Sequence, residues 1–115
     1  VINDFTVADF NRSFEEIADD IYETAKDKGW WDIERNEGEA IALMHSELSE
    51  ALEALRTGNK PDDKIPEFTG VEAELADVII RIMDYAQGFD YDVAGALLAK
   101  IAFNKNRERK HGKEF

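Results

Sequence analysis

The chain has 115 residues, enough for one hydrophobic core and too few for two, so a single domain over 1–115 is expected. It has no cysteine, which excludes a disulfide framework, a thiolate metal site and a thiol nucleophile. A net charge of −12, and no apolar run near the roughly 20 residues of a membrane span, speak against nucleic-acid polymers and membranes as partners and make a soluble, cytoplasmic protein the expectation.

In chain order the periodicity is helical throughout. Thr6 opens a T-x-x-D capping signal, and Val7, Phe10, Phe14, Ile17 and Ile21 recur at 3-4-3-4 spacing until Gly29. WWDIERNEG reads as a loop. A second helix is predicted from about Glu39 to Thr57, with Ile41, Met44, Leu48, Leu52 and Leu55 as its core stripe. GNKPDDKIPEFTG holds both prolines and two of the seven glycines and is a connection rather than an element. A third helix begins at a T-x-x-E box, Thr69 and Glu72, and carries Val71, Leu75, Val78, Ile82 and Ala86 until Gly88. Asp90 or Asp92 then opens a fourth helix through Val93, Leu97 and Ile101 into a basic tail. No alternating strand pattern occurs. The fold class is therefore all-α, a four-helix bundle-like single domain. Trp30, Trp31, Phe68, Phe89 and Phe103 fall outside the clearest stripes, which predicts an oligomer whose subunits cover some of them.

Two carboxylate pairs carry the chemical signal: Glu47 and Glu50 on helix two, Glu74 and Asp77 on helix three. Residues three apart on a helix are neighbours on one face, so each pair offers oxygen ligands to a shared hard cation. Acid pairs at this spacing also occur at Glu16/Asp19, Asp20/Glu23, Glu34/Glu37 and Glu50/Glu53, so position on the helical wheel has to separate them. The helix-one acids lie opposite the apolar stripe, where a solvated face is expected. Glu47 and Glu50 sit at roughly −100° and −160° from the centre of their stripe, and Glu74 and Asp77 at roughly −90° and −150° from theirs. Equal offsets put both rows on the same side of an antiparallel hairpin, the arrangement that a connection of about a dozen residues favours. Their heights agree as well, since Glu50 and Asp77 each lie about 10 Å of helix from the connection. Four anions converging at one site repel and raise one another's pKa, which makes sense chiefly with cations bound.

An all-carboxylate set suits Mg²⁺, with Mn²⁺ as an option. A di-iron bundle would carry Glu-x-x-His on two helices, and neither His45 nor His111 stands three residues after a Glu. The acidic body contrasts with residues 100–115, where Lys100, Lys105, Arg107, Arg109, Lys110 and Lys113 face only Glu108 and Glu114. That tail suits one triphosphate, or simply complements a helix dipole.

E-x-x-E at Glu47 and Glu50, followed by E-x-x-D at Glu74 and Asp77 on successive amphipathic helices, resembles the MazG-like, all-α nucleoside triphosphate pyrophosphohydrolases. KGWWD before the first motif and FNKNRERKHGK after the second are similar to segments of the small single-domain members, so the resemblance covers most of the chain. One departure is Ser46 ahead of Glu47, where many relatives have consecutive glutamates. The resemblance implies hydrolysis of a (deoxy)nucleoside triphosphate to the monophosphate and pyrophosphate, with Mg²⁺ held by Glu47, Glu50, Glu74 and Asp77. It also implies a homodimer or homotetramer and a role in nucleotide-pool housecleaning.

The remaining candidates follow from side-chain chemistry. Glu47 borders the apolar stripe, where desolvation would suit it to accept a proton from water. Lys105, Arg107 and Lys110 are candidates for phosphate, with Asn104 as a neutral donor. One of Trp30 and Trp31 is expected to stack on a nucleobase and the other to plug a core or interface. His45 borders the expected pocket. Asp84, one heptad after Asp77, would bind sugar or base, or pair with Arg81 or Lys105. A non-enzymatic alternative fits the same pattern: a helical oligomeric adaptor, or a regulatory nucleotide- or metal-binding module.

Overall fold

A computed structural model describes residues 2–107 and 113–114. Among the described residues the chain is all-helical: α1 (Asp4–Asp27), α2 (Glu37–Arg56), α3 (Gly70–Phe89) and α4 (Val93–Asn104).

Local chemistry sets each end. At α1 the cap is Asn3, whose Oδ1 accepts from the Thr6 backbone N–H at 2.9 Å, so Thr6 lies inside the first turn rather than opening the helix as expected. Asn36 caps α2 in the same way, its Oδ1 accepting from the Glu39 N–H, so the helix begins at Glu37, two residues ahead of the expected start. The Thr69–Glu72 box forms as a reciprocal pair, with Glu72 Oε1 accepting from the Thr69 N–H at 2.9 Å. Asp92, not Asp90, caps α4. Both α1 and α2 end in a Schellman turn. At α1, Gly29 (φ +92°) donates to the Lys26 carbonyl and Trp30 to that of Ala25; at α2, Gly58 (φ +94°) donates to Leu55 and Asn59 to Ala54.

Gly88 does not end α3, which continues to Phe89 and stops at Asp90 in the left-handed region (φ 59°). The glycine serves another purpose. A Cβ at position 88 would overlap the six-membered ring of Trp31, which packs there between Tyr22 and Phe89 with ring centroids 5.3 Å apart in each case. Trp31 is thus the packing tryptophan of the pair.

Helix α3 lies between α1 and α2, and α4 rests on α1. Cross-links run in opposite order along α2 and α3: Glu37 meets Tyr85, Glu47 meets Arg81, and Ala54 meets Gly70. The hairpin is therefore antiparallel. Its connection is folded rather than loose, with Gly70 donating to the Lys60 carbonyl, Asp62 to that of Phe68, and Asn59 Oδ1 accepting from Val71 N–H.

The packing face differs from the expected one. Buried apolar residues are Ala18, Ala40, Ala51, Ala73, Met83, Ala86 and Ala94, and α2 meets α3 through the row that includes Ala40, Glu47, Ala51 and Ala54. That row lies about a quarter turn from the large apolar stripe at 100° per residue. Ile41, Leu48, Leu52 and Leu55 are exposed on α2, as are Leu75 and Ile79 on α3. Small side chains let the two backbones approach closely, and the large ones are left on the outside.

The Gly88–Trp31 contact supplies a test. Gly88→Ala gains about 1 kcal/mol of helix propensity, yet forces Trp31 from its slot at a cost of about 1–3 kcal/mol. Urea denaturation should show net destabilisation; a variant as stable as the wild type or more so would mean that Trp31 is not confined by this helix.

Candidate metal and nucleotide site

The seam between α2 and α3 brings Glu47, Glu74 and Asp77 together, each offering an oxygen within 4.8 Å of the others. Oxygens on one Mg²⁺ stand about 2.9 to 4.1 Å apart when the bonds are 2.0–2.1 Å, so modest side-chain adjustment fits this trio to one hard cation. Glu50 is exposed and outside the trio, though its charge still acts on Glu74. Three of the four expected ligands therefore converge, and the fourth stands at the rim.

The cluster is electrostatically tense. Burial first, then the neighbouring charges of Asp77, Glu47 and Glu50, push the Glu74 carboxyl up to about 6. Desolvation and the Glu47 charge also raise Asp77, against the opposing pull of Arg81. Glu47 is not left alone: Arg81 Nε donates to its Oε1 at 2.8 Å. Glu74 and Asp77 are thus the carboxyls lifted toward neutrality in the metal-free protein, while Glu47 is held by Arg81.

Two of the three acids, Glu47 and Asp77, open onto a cleft of about 460 Å³, within the range of small-molecule sites, whose walls also include Trp30, Ile80, Arg81 and Asp84, while Glu74 stands behind them. Helix α1 supplies the opposite wall through Asp20, Thr24 and Lys28. Of the three, Asp20 belongs to the acids expected on a solvated face, and the i, i+4, i+8 spacing puts all three in one row.

The two tryptophans part company here. Trp30, raised by the Gly29 turn, is half-exposed at the cleft, while Trp31 turns inward and donates its Nε1–H to Asp84 Oδ1 at 3.0 Å. Asp84 is buried, and its other oxygen accepts from Arg35 Nη1 at 3.0 Å. Its partners are thus Trp31 and Arg35, not Arg81 or Lys105 as expected, because the loop after α1 folds over α3 at this level. Arg35 was missed by the sequence reading; no periodic signal marks a loop arginine.

His45 is exposed on α2 and is not among the residues lining the cleft. Asn104, Lys105 and Arg107 lie at the exposed end of α4, away from the cleft walls, with the Arg107 guanidinium over the Phe103 ring. Lys110 lies outside the described residues. Cationic groups at the cleft come instead from Arg81 and Lys28.

No protein-family model, curated protein or solved structure matches the chain. The chemistry of the site therefore rests on its own geometry.

The raised acids make a signed prediction for the metal-free protein. Between about 4.5, the ordinary value, and about 6, the folded chain holds a proton on Glu74 that the unfolded chain has lost. Stability should therefore fall as pH rises through that window and level off above it. Glu37, Glu72 and Asp62 are held below their ordinary values by hydrogen bonds, so their contribution is lost only at lower pH. Urea midpoints in chelator at pH 4.5, 6 and 7.5 should decline, and Glu74→Gln should flatten the decline; a rise across the same window would show that the cluster is not strained.

Proposed function

We propose that the protein is a Mg²⁺-dependent nucleoside triphosphate pyrophosphohydrolase, releasing pyrophosphate and a (deoxy)nucleoside monophosphate. The observation that carries the reading is the juxtaposition of the Glu47–Glu74–Asp77 trio with an aromatic and cationic cleft holding Trp30, Arg81 and Lys28. Hard carboxylates call for a hard cation, cations at the cleft call for an anionic substrate, and an exposed indole offers a platform for a base.

Glu47, Glu74 and Asp77 would hold the metal, with the Glu50 charge acting on Glu74 from outside the trio, and Mn²⁺ suits the same oxygens. Bound there, Mg²⁺ would neutralise phosphate charge and acidify water near the α-phosphorus. Glu47, the carboxylate that lines the cleft beside Arg81, accepts the proton from the attacking water. Lys28 and Arg81 bind phosphate oxygens, and Trp30 packs on the base. Attack at the α-phosphorus breaks its bond to the bridging oxygen, and pyrophosphate leaves without any covalent enzyme intermediate. The similarity of the two acidic motifs to those of the MazG-like enzymes adds to this reading, as does a housecleaning role for such an activity.

Pyrophosphate release from a deoxynucleoside triphosphate panel should require Mg²⁺ and stop in chelator. Glu74→Gln and Asp77→Asn should each lower turnover by about 10²- to 10³-fold, the usual loss of an electrostatic stabiliser. Activity retained in both variants, or no release from the wild type with any nucleotide, would sink the proposal and favour the non-enzymatic adaptor.

Self-association as a homodimer or homotetramer belongs to the same reading. Among the described residues no large apolar side chain is fully buried, whereas Ile41, Leu48, Leu52 and Leu55 form an exposed row on α2. Each is about half exposed, so covering it is worth roughly half of the 1.5–3 kcal/mol of full burial. Light scattering should report an oligomer for the wild type and a smaller species for Leu52→Glu; a wild-type monomer at micromolar concentration would refute it.

A further inference from the structure

Arg81 touches two otherwise separate parts of the cleft. Its Nε donates to Glu47 Oε1 at 2.8 Å, while its Cζ lies 5.2 Å from the centroid of the Trp30 ring. It is three-quarters buried and its partner Glu47 more so, which confines the guanidinium plane. Among the described residues no other group accepts a hydrogen bond from it, so both terminal amino groups remain for a ligand. Trp30 has little else to fix it on this side. The Arg35 guanidinium stands farther off, at 5.8 Å, and is held by Asp84.

We propose that Arg81 is a positioning and phosphate-binding residue that ties the metal ligand Glu47 to the Trp30 platform, so that triphosphate and base are recognised as one coupled unit. The inference rests on the nucleotide-hydrolase reading and assigns to Arg81 three simultaneous tasks. The Nε edge orients the Glu47 carboxylate. The guanidinium face fixes Trp30 by a cation–π contact. The terminal amino edge donates to phosphate oxygens. A lysine can supply the charge for the last task, but its ammonium has no planar fork with which to perform all three.

The experiment is a double-mutant cycle read by calorimetry in saturating Mg²⁺, with two probes: inorganic tripolyphosphate, which has no base, and a non-hydrolysable α,β-imido deoxynucleoside triphosphate. Arg81→Gln should weaken tripolyphosphate by about tenfold or more, the loss of a charge-assisted contact, and the nucleotide analogue by a larger factor. Arg81→Lys should return tripolyphosphate to within about threefold of wild type while the nucleotide analogue stays weakened. Trp30→Ala should affect the analogue alone, and the Trp30→Ala/Arg81→Lys double variant should bind it no worse than the poorer single variant. Independent, additive losses from the two single variants would break the coupling, and unchanged tripolyphosphate binding by Arg81→Gln would remove Arg81 from the phosphate site. A wild type that binds neither probe overturns both this assignment and the hydrolase reading, whereas normal wild-type binding with additive variants overturns the assignment alone. Should Arg81→Gln fail to fold, as judged by circular dichroism, the lysine and alanine arms carry the cycle.

Discussion

The structure depends on close approach of α2 and α3 through small side chains. Ala40, Ala51 and Ala54 on one helix and Gly70 and Ala73 on the other leave no bulk between the backbones, and a Cβ on Gly70 would stand only 3.0 Å from that of Ala54. Helices that meet through alanine and glycine sit nearer than helices that meet through leucine, so polar side chains beside the seam reach across it. Glu47, Glu74, Asp77 and Arg81 all stand on that seam. The same constraint accounts for the strained acids, since anions drawn close in a partly desolvated groove destabilise one another. It also accounts for the exposed leucines, because a helix that spends its small face on its neighbour turns its large face outward.

The loop between α1 and α2 provides the second organising contact. Asp84 on α3 receives Trp31 and Arg35 together, and Gly88 leaves room for the indole ring, so this short loop is pinned at two levels of one helix. Buried ion pairs contribute little net stability, but removal of one partner leaves an uncompensated charge. The pair is better understood as a geometric fixture. With Trp31 locked inward, its neighbour Trp30 has to face the cleft.

Much of this was legible in the residues. The four helices, the Thr69–Glu72 box and the antiparallel hairpin follow from spacing and caps, and the three acids that converge were singled out by their place on the wheel. The choice of packing face was not. Hydrophobic periodicity finds the most apolar stripe without revealing whether it meets the same chain or another, and here Leu48, Leu52 and Leu55 outweighed the alanines that actually fill the seam. The acids met because the true packing face is turned toward them, by about a quarter turn on α2 and by more on α3, closer than stripe-to-stripe packing would have brought them. The partners of Asp84 escape the sequence for a different reason. They are a loop arginine and an indole N–H some fifty residues away in sequence, and no local pattern encodes such a contact.

Glu37 accepts hydrogen bonds from both Tyr85 and Tyr91, at 2.7 and 2.8 Å, where α2 begins and α3 ends. At the opposite end the Asn59–Val71 and Lys60–Gly70 bonds close the connection. The hairpin therefore behaves as a pair of struts about 30 Å long, fastened at both extremities, with the mutual repulsion of the acids applied near mid-span. A load at the centre of a doubly fastened span flexes the middle most and leaves the fastened ends together. The Tyr85 hydroxyl, pushed up to about 12 by Glu37, stays protonated and fastened well into the alkaline range. Charging the centre of such a frame stores tension there without parting its ends, which keeps the acids poised for a cation.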